Sequence, residues 1–356
     1  MGNNNYVNGK NSANGRERER ETGLDLIRVI AILFVIGGHF FWLHTRFLET
    51  NFNGFNIFIQ GSLMSLFFVS VPLFVLLSGY LNYKKKYIRY NIGIYKGLKK
   101  IISAYLIFSI ISILFRIYYL GEHESIIGWI TRILGFSAIS YSWYVEMYIG
   151  LFLIMPFLNI IFEKLSSRKE RLFLIGVFIL ITSLPILLNR SQITVIPKYF
   201  VAIAPITFYF VGAYIAAYKP TIKKGLLILS LIIICTADSL ANIIIGKTFA
   251  PIGGEVWSLY YLITAIIVFL LLYDINLKSR IISKLSVYTL DIYLCCWIFD
   301  TLYYPIFKNH FFFSQQQFFK YFIIIVPLVF LSSTAVAFIK EKIIYAATKS
   351  YHKQRG

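Results

Sequence analysis

The chain reads as an all-α, polytopic membrane helix bundle with about ten transmembrane helices and both termini in the cytoplasm. Three observations predict this. Its 356 residues are 58% hydrophobic and 18% aromatic, with only 14% charged, a composition foreign to soluble domains. Apolar runs long enough to cross a hydrocarbon core about 30 Å thick recur along the whole length. Lysine and arginine also collect in alternate connections, which fixes orientation.

The first span, 24–44, reads LDLIRVIAILFVIGGHFFWLH. The second, 61–82, carries Pro72 and Gly79 inside an apolar run. Lipid-embedded helices tolerate both residues. The third, 99–120, begins at Lys99 and Lys100, and the fourth, 143–162, begins at Trp143. The remaining spans are 171–189, 199–218, 225–245, 256–273, 284–306 and 320–340. Trp42, Tyr83, Trp143, Trp257, Tyr303 and Tyr304 fall at span ends, where aromatic rings anchor the interface.

With the N-terminus inside, 26 basic residues fall in inner segments and helix ends and 7 in outer ones, leaving Arg28 and Arg116 within spans. This positive-inside pattern accounts for the net charge of +19 and excludes nucleic acid as the reason for it. Anionic lipid head groups are the natural partner of the basic face. The longest connections are 45–60, 83–98 and 121–142, too short for a separate domain. The organisation is therefore a disordered cytoplasmic tail at 1–21, one transmembrane domain at 22–345 and a cytoplasmic tail at 346–356. The first apolar run is too long for a signal-peptide core. Cys235, Cys295 and Cys296 lie within spans, unlike a disulfide framework, and no His/Cys spacing suggests a metal site. No internal repeat of the kind found in inverted-repeat transporters is visible.

Arg28 and His39 carry most of the chemistry. Eleven helical steps of about 100° return to within about 20° of the starting face, so both project from one side, about 16 Å apart along the axis. Charged or titratable groups inside a span are functional by default. The plainer readings are a snorkelling Arg28 and a His39 that hydrogen-bonds a neighbouring helix. Asp25 caps the helix or pairs with Arg28 three residues on. Gly37 and Gly38 permit either close helix packing or substrate approach. Arg116, Glu146, Asp238 and Asp300 join His39 in the outer half, as an outward-opening polar cavity would require. Arg116 and Glu146 also suit a structural pair, or snorkelling to the interface.

The motifs resemble the acyltransferase-3 family of integral membrane O-acyltransferases, in a subgroup similar to bacterial surface-polysaccharide O-acetyltransferases. Asp25, Arg28 and His39 match the family's opening pattern. VPLFVLLSGYL matches the second-span motif through Pro72, Ser78 and Gly79. WYVEMYIGLFLIMP matches the fourth through Trp143, Gly150 and Pro156. YFVGAYIA around Gly212 and LSVYTLDIYLCCW follow in family order. Three positions depart from the family: Tyr148 stands where many members have Glu, Cys296 where many have His, and Ala104 where Pro is common.

The resemblance implies acyl transfer from cytoplasmic acyl-CoA, with acetyl-CoA the expected donor substrate and no permanently bound cofactor. The acceptor would be a hydroxyl of a cell-surface polysaccharide or its lipid-linked precursor, and the setting a multi-pass bacterial cytoplasmic membrane. His39 would be the catalytic base. Arg28 would hold donor phosphates, with Lys99 and Lys100 beside it. Asp25, Ser78, Trp143, Glu146, Asp238 and Asp300 are the supporting or substrate-binding candidates. Ser78 reads as a kink or hydrogen-bonding group rather than a nucleophile. The competing reading is a transporter or flippase for a lipid-linked glycan, which the intramembrane acids and basic inner face would also suit.

Overall fold

The computed structural model describes residues 22–44, 54–83, 96–189, 194–245, 255–311 and 319–355. Expectations for the 1–21 tail, and for most of the 45–60 and 83–98 connections, lie outside these residues.

The described residues form a helical bundle. In chain order the helices are α1 Thr22–His39, α2 Gly54–Phe67, α3 Ser70–Asn82, α4 Lys96–Tyr118, α5 Ile126–Leu134 and α6 Trp143–Lys164. They continue with α7 Arg168–Phe178, α8 Leu184–Leu188, α9 Ala204–Tyr218, α10 Lys224–Ile245, α11 Leu259–Leu272, α12 Arg280–Phe311 and α13 Phe322–Arg355. Among the described residues, nine helical stretches are long and apolar enough to span a membrane. They correspond to all but one of the ten expected spans. The exception, expected at 256–273, is α11, an apolar helix of 14 residues.

Several elements differ from a plain run of spans. The second span is two helices, α2 and α3, broken at Phe68–Val69. The fifth passes through a π-helical turn at Ile179–Ser183 before α8. A second π-helical turn, Phe40–His44, follows His39 directly. Such turns widen the helix and re-aim side chains, and they recur at functional sites. The connection 121–142 contains the short helix α5, whose Ser125 side chain caps it by accepting from the Gly128 amide. The last helix continues through residues expected to be a tail, ending at Arg355.

Packing divides the helices into two classes. The stretches 22–42, 57–82, 201–218 and 280–309 have more than half of their central window buried, whereas 168–188 and 224–241 have 22%. Thus α1, α3, α9 and α12 form the centre, and α7, α8 and α10 are peripheral. The crossing of α3 with α9 is the most extensive contact. Two glycines allow it. A Cβ at Gly79 would overlap the Tyr209 carbonyl oxygen, and one at Gly212 would overlap the Leu76 carbonyl oxygen. Small residues that let helix backbones touch take the place of the hydrophobic effect in lipid. Asn159 of α6 locks the same region, donating to the Asn82 carbonyl and accepting from the Tyr209 hydroxyl at 2.7 Å.

Around this centre α1 packs on α12 and α3. Its first turn is tied down by Thr22, whose Oγ1 accepts from the Leu277 amide at 2.9 Å. Asp25, 1% exposed, accepts from Ser286 Oγ of α12 at 2.9 Å. The helix carrying Arg28 and His39 is therefore fixed in register against α12 at its start.

Candidate active site

Two cavities open beside α1, one at each end. The first, about 430 Å³, is lined by Arg28 of α1, Ser78 of α3, Lys100 of α4, Tyr144 and Tyr148 of α6, Tyr293 of α12 and Lys340 of α13. It is called the basic cavity below. The second, about 860 Å³, is lined by Gly38, His39 and Trp42 of α1, together with Ser140, Tyr141, Trp143, Trp257 and again Tyr293. It is called the histidine cavity.

In the basic cavity Arg28 donates to Asp25 Oδ1 at 2.7 Å. Asp25 is thus the pairing partner, and its second contact to Ser286 fixes where the guanidinium sits. The Arg28 side chain stays 27% exposed and lines the cavity. Lys340 pairs with Asp291, and Glu341 accepts from the Tyr288 hydroxyl. Ser78 Oγ donates to the Phe74 carbonyl at 2.8 Å, the local bond of a helix-bending serine, and to the Tyr148 hydroxyl at 3.2 Å.

In the histidine cavity His39 Nδ1 stands 3.9 Å from Asp300 Oδ2. Asp300 is 1% exposed and also accepts from the Tyr141 hydroxyl at 3.2 Å. The Tyr141 ring lies 3.6 Å from the imidazole, centroid to centroid. Tyr141 belongs to the connector before α6. Burial first, and then the neighbouring Asp300 carboxylate, hold its phenol well above the ordinary tyrosine value, so it remains a donor. Cys296, one turn before Asp300 on α12, completes a group with His39 and Asp300 whose ligand atoms lie within 4.8 Å of one another. This is the one group among the described residues that could hold a metal ion. Its members come from helices some 260 residues apart, so no sequence spacing reveals it.

The pairing of charges inside the bundle differs from expectation in three places. Arg116 does not pair with Glu146. It donates to Glu122 at 2.8 and 3.1 Å, to the Ala138 carbonyl at 3.0 Å and to Ser140 Oγ at 3.0 Å, and lies over the Trp297 ring. Glu146 is exposed in a separate groove between α6 and the start of α9. Asp238 is buried between α10 and α2, accepting from Ser65 at 2.5 Å, and lines neither cavity. Lys99 is exposed and turned away from the basic cavity that Lys100 lines. One outward cavity holding every intramembrane acid is therefore not what forms. A helix places successive residues about 100° apart, so depth in the membrane does not bring groups to one face.

The family profile described as "Acyltransferase domain" matches residues 21–340. The chain belongs to the acyltransferase-3 family. It is a multi-pass membrane acyltransferase. No curated protein and no solved structure matches it.

Of the three positions that the motif comparison sets apart, two line the basic cavity and one is buried beside His39. Tyr148, in place of Glu, lines the basic cavity and accepts from Ser78. Cys296, in place of His, sits against His39 and Asp300. Ala104, in place of Pro, lines the basic cavity beside Lys100. The glycine pair is divided between its two readings: Gly37 packs against the Phe67 ring, while Gly38 lines the histidine cavity.

Sequence reasoning missed Tyr141, Tyr293 and Lys340. Tyr293 had a signal. It stands three residues before Cys296 and seven before Asp300 in DIYLCCWIFD, the spacing of one helix face. Tyr141 had none, because it lies in a connector and reaches His39 only through the fold.

Proposed function

We propose that the enzyme moves an acyl group, acetyl first among candidates, from cytoplasmic acyl-CoA to a hydroxyl of a cell-surface polysaccharide or its lipid-linked precursor. The reading rests on one arrangement: a cation and a histidine on the same face of α1 open into two different cavities that meet at a shared wall. The donor enters the basic cavity, where Arg28, Lys100 and Lys340 face its phosphates. The pantetheine arm carries the thioester toward His39. The acceptor enters the histidine cavity, where the indoles of Trp42, Trp143 and Trp257 give flat apolar faces suited to sugar rings.

The chemistry is then short. His39 takes the proton of the acceptor hydroxyl as its oxygen attacks the thioester carbonyl. The C–S bond breaks as the tetrahedral oxyanion collapses. The departing CoA thiolate receives the same proton from the imidazolium. Asp300, facing Nδ1, orients the ring and stabilises its charged form. That leaves Nε2 for the acceptor.

The positive-inside distribution supports cytoplasmic termini, and the motif resemblance to bacterial surface-polysaccharide O-acetyltransferases supports a bacterial cytoplasmic membrane as the setting. The deciding experiment compares surface glycan from wild-type and deletion strains by NMR and mass. Loss of one acyl substituent in the deletion strain supports the reading. Purified protein should also release free CoA from acetyl-CoA when supplied with deacylated glycan. Release of none with that glycan present would overturn the acceptor assignment.

A further inference from the structure

We infer that Tyr293 is the donor-specificity residue of this acyltransferase, a stop that limits the length of the transferred acyl group. The inference rests on the donor reading above. Among the described residues, Tyr293 alone lines both cavities. It is 3% exposed and is held from several sides. Its hydroxyl donates to the Tyr141 carbonyl, its ring stands edge-on to Tyr144 at 5.5 Å, and its own carbonyl accepts from Cys296 Sγ at 3.2 Å. A side chain restrained in this way is a wall rather than a loose flap.

The position of that wall matters because of how acyl-CoA is built. The phosphates and the acyl group sit at opposite ends of the molecule. With the phosphates at Arg28 and Lys100, the acyl group is the leading tip as the arm extends toward His39. Phe74, Leu77 and Ala104 give the cavity apolar lining for the arm. Tyr293 stands where this cavity meets the histidine cavity, and its hydroxyl is bonded to Tyr141, whose ring lies against His39. A two-carbon group brings its carbonyl to the boundary of the histidine cavity, where the acceptor hydroxyl meets it, and leaves little chain to pack against Tyr293. Every further methylene has to displace a phenol ring from a packed site, and overpacking such a site is unfavourable. Tyr144 and Tyr148 of α6, stacked at 5.6 Å, line the same cavity.

The test uses full-length protein in nanodiscs and two thioether analogues that cannot react, S-ethyl-CoA and S-hexyl-CoA. Their dissociation constants are measured for wild type, Tyr293→Ala, Tyr293→Leu and Tyr293→Phe. Wild type should bind S-hexyl-CoA at least tenfold more weakly than S-ethyl-CoA. Tyr293→Ala should erase or reverse that preference. Tyr293→Leu, which keeps an apolar side chain in the core, should reduce it if the alanine variant does not fold. Tyr293→Phe, with the ring retained, should keep it. A wild type that binds both analogues equally, or leucine and alanine variants with the wild-type ratio, would overturn the inference while leaving the donor reading intact. Failure of wild type to bind either analogue would remove the donor reading itself, and the inference with it.

Discussion

Arg116→Ala should disable catalysis from a distance by releasing the segment that carries Tyr141. Arg116 is 7% exposed near the end of α4. Its guanidinium holds the Ala138 carbonyl and Ser140 Oγ, each at 3.0 Å, and lies 4.4 Å from the centre of the Trp297 ring. A hydrogen bond to a charged group contributes about 1.5–3 kcal/mol, and a partly desolvated cation–π contact about 1–2 kcal/mol. The Glu122 pairing adds little, since that carboxylate is 31% exposed and regains water. Removing the charge also relieves the cost of burying it. A net loss of about 2–4 kcal/mol follows, concentrated in residues 138–142. Hydrogen exchange should show faster opening of that segment while α3 and α9 stay protected. Transfer should fall at least tenfold in kcat with donor KM within about twofold, because the basic cavity is untouched. Arg116→Lys should recover little, since an ammonium cannot bridge both acceptors with one fork. Unchanged exchange in 138–142 together with wild-type kcat would refute the reasoning.

Four further outcomes are expected. His39→Ala should lose acyl transfer while accumulating in the membrane, and Asp300→Asn should lower kcat by two orders of magnitude or more. Near-normal glycan acylation by His39→Ala, read by NMR, would exclude the base. Arg28→Ala should weaken binding of a non-hydrolysable acetyl-CoA analogue far more than His39→Ala does, and Arg28→Lys should be damaging as well. Equal affinity in wild type and Arg28→Ala would exclude the phosphate role. Gly212→Leu should cost at least about 1–3 kcal/mol by forcing α9 off α3, seen as lower thermal stability in detergent, whereas Gly150→Ala, with open space around its position, should be tolerated. Reporter fusions after residues 90, 168 and 222 should read cytoplasmic and those after 52, 190 and 310 external, and reversal at two or more sites would overturn the orientation.

The sequence by itself determined that this chain is a membrane bundle, roughly where its spans lie, and that Arg28 and His39 share a face. Each of these follows from local physics. Span positions follow from apolar run length, and the shared face follows from helical rotation over eleven residues. The motifs also carried the family, which the match over residues 21–340 shows. Tertiary structure decided the rest. Hydropathy does not separate a helix that faces lipid from one that faces protein, because both surroundings are apolar. The peripheral stretch 168–188 therefore has a mean hydropathy of 2.4, against 2.0 for the central α1 stretch. For the same reason Asp300 and Asp238 read alike in the sequence. Only packing sets Asp300 against His39 and Tyr141 and puts Asp238 beside Ser65. Arg116 and Glu146 look like partners by depth, yet rotation about α4 and α6 sends one to Glu122 and the other into a separate groove. Tyr141 joins the site through a connector, and Tyr293 divides two cavities that exist only once α1, α6 and α12 are packed.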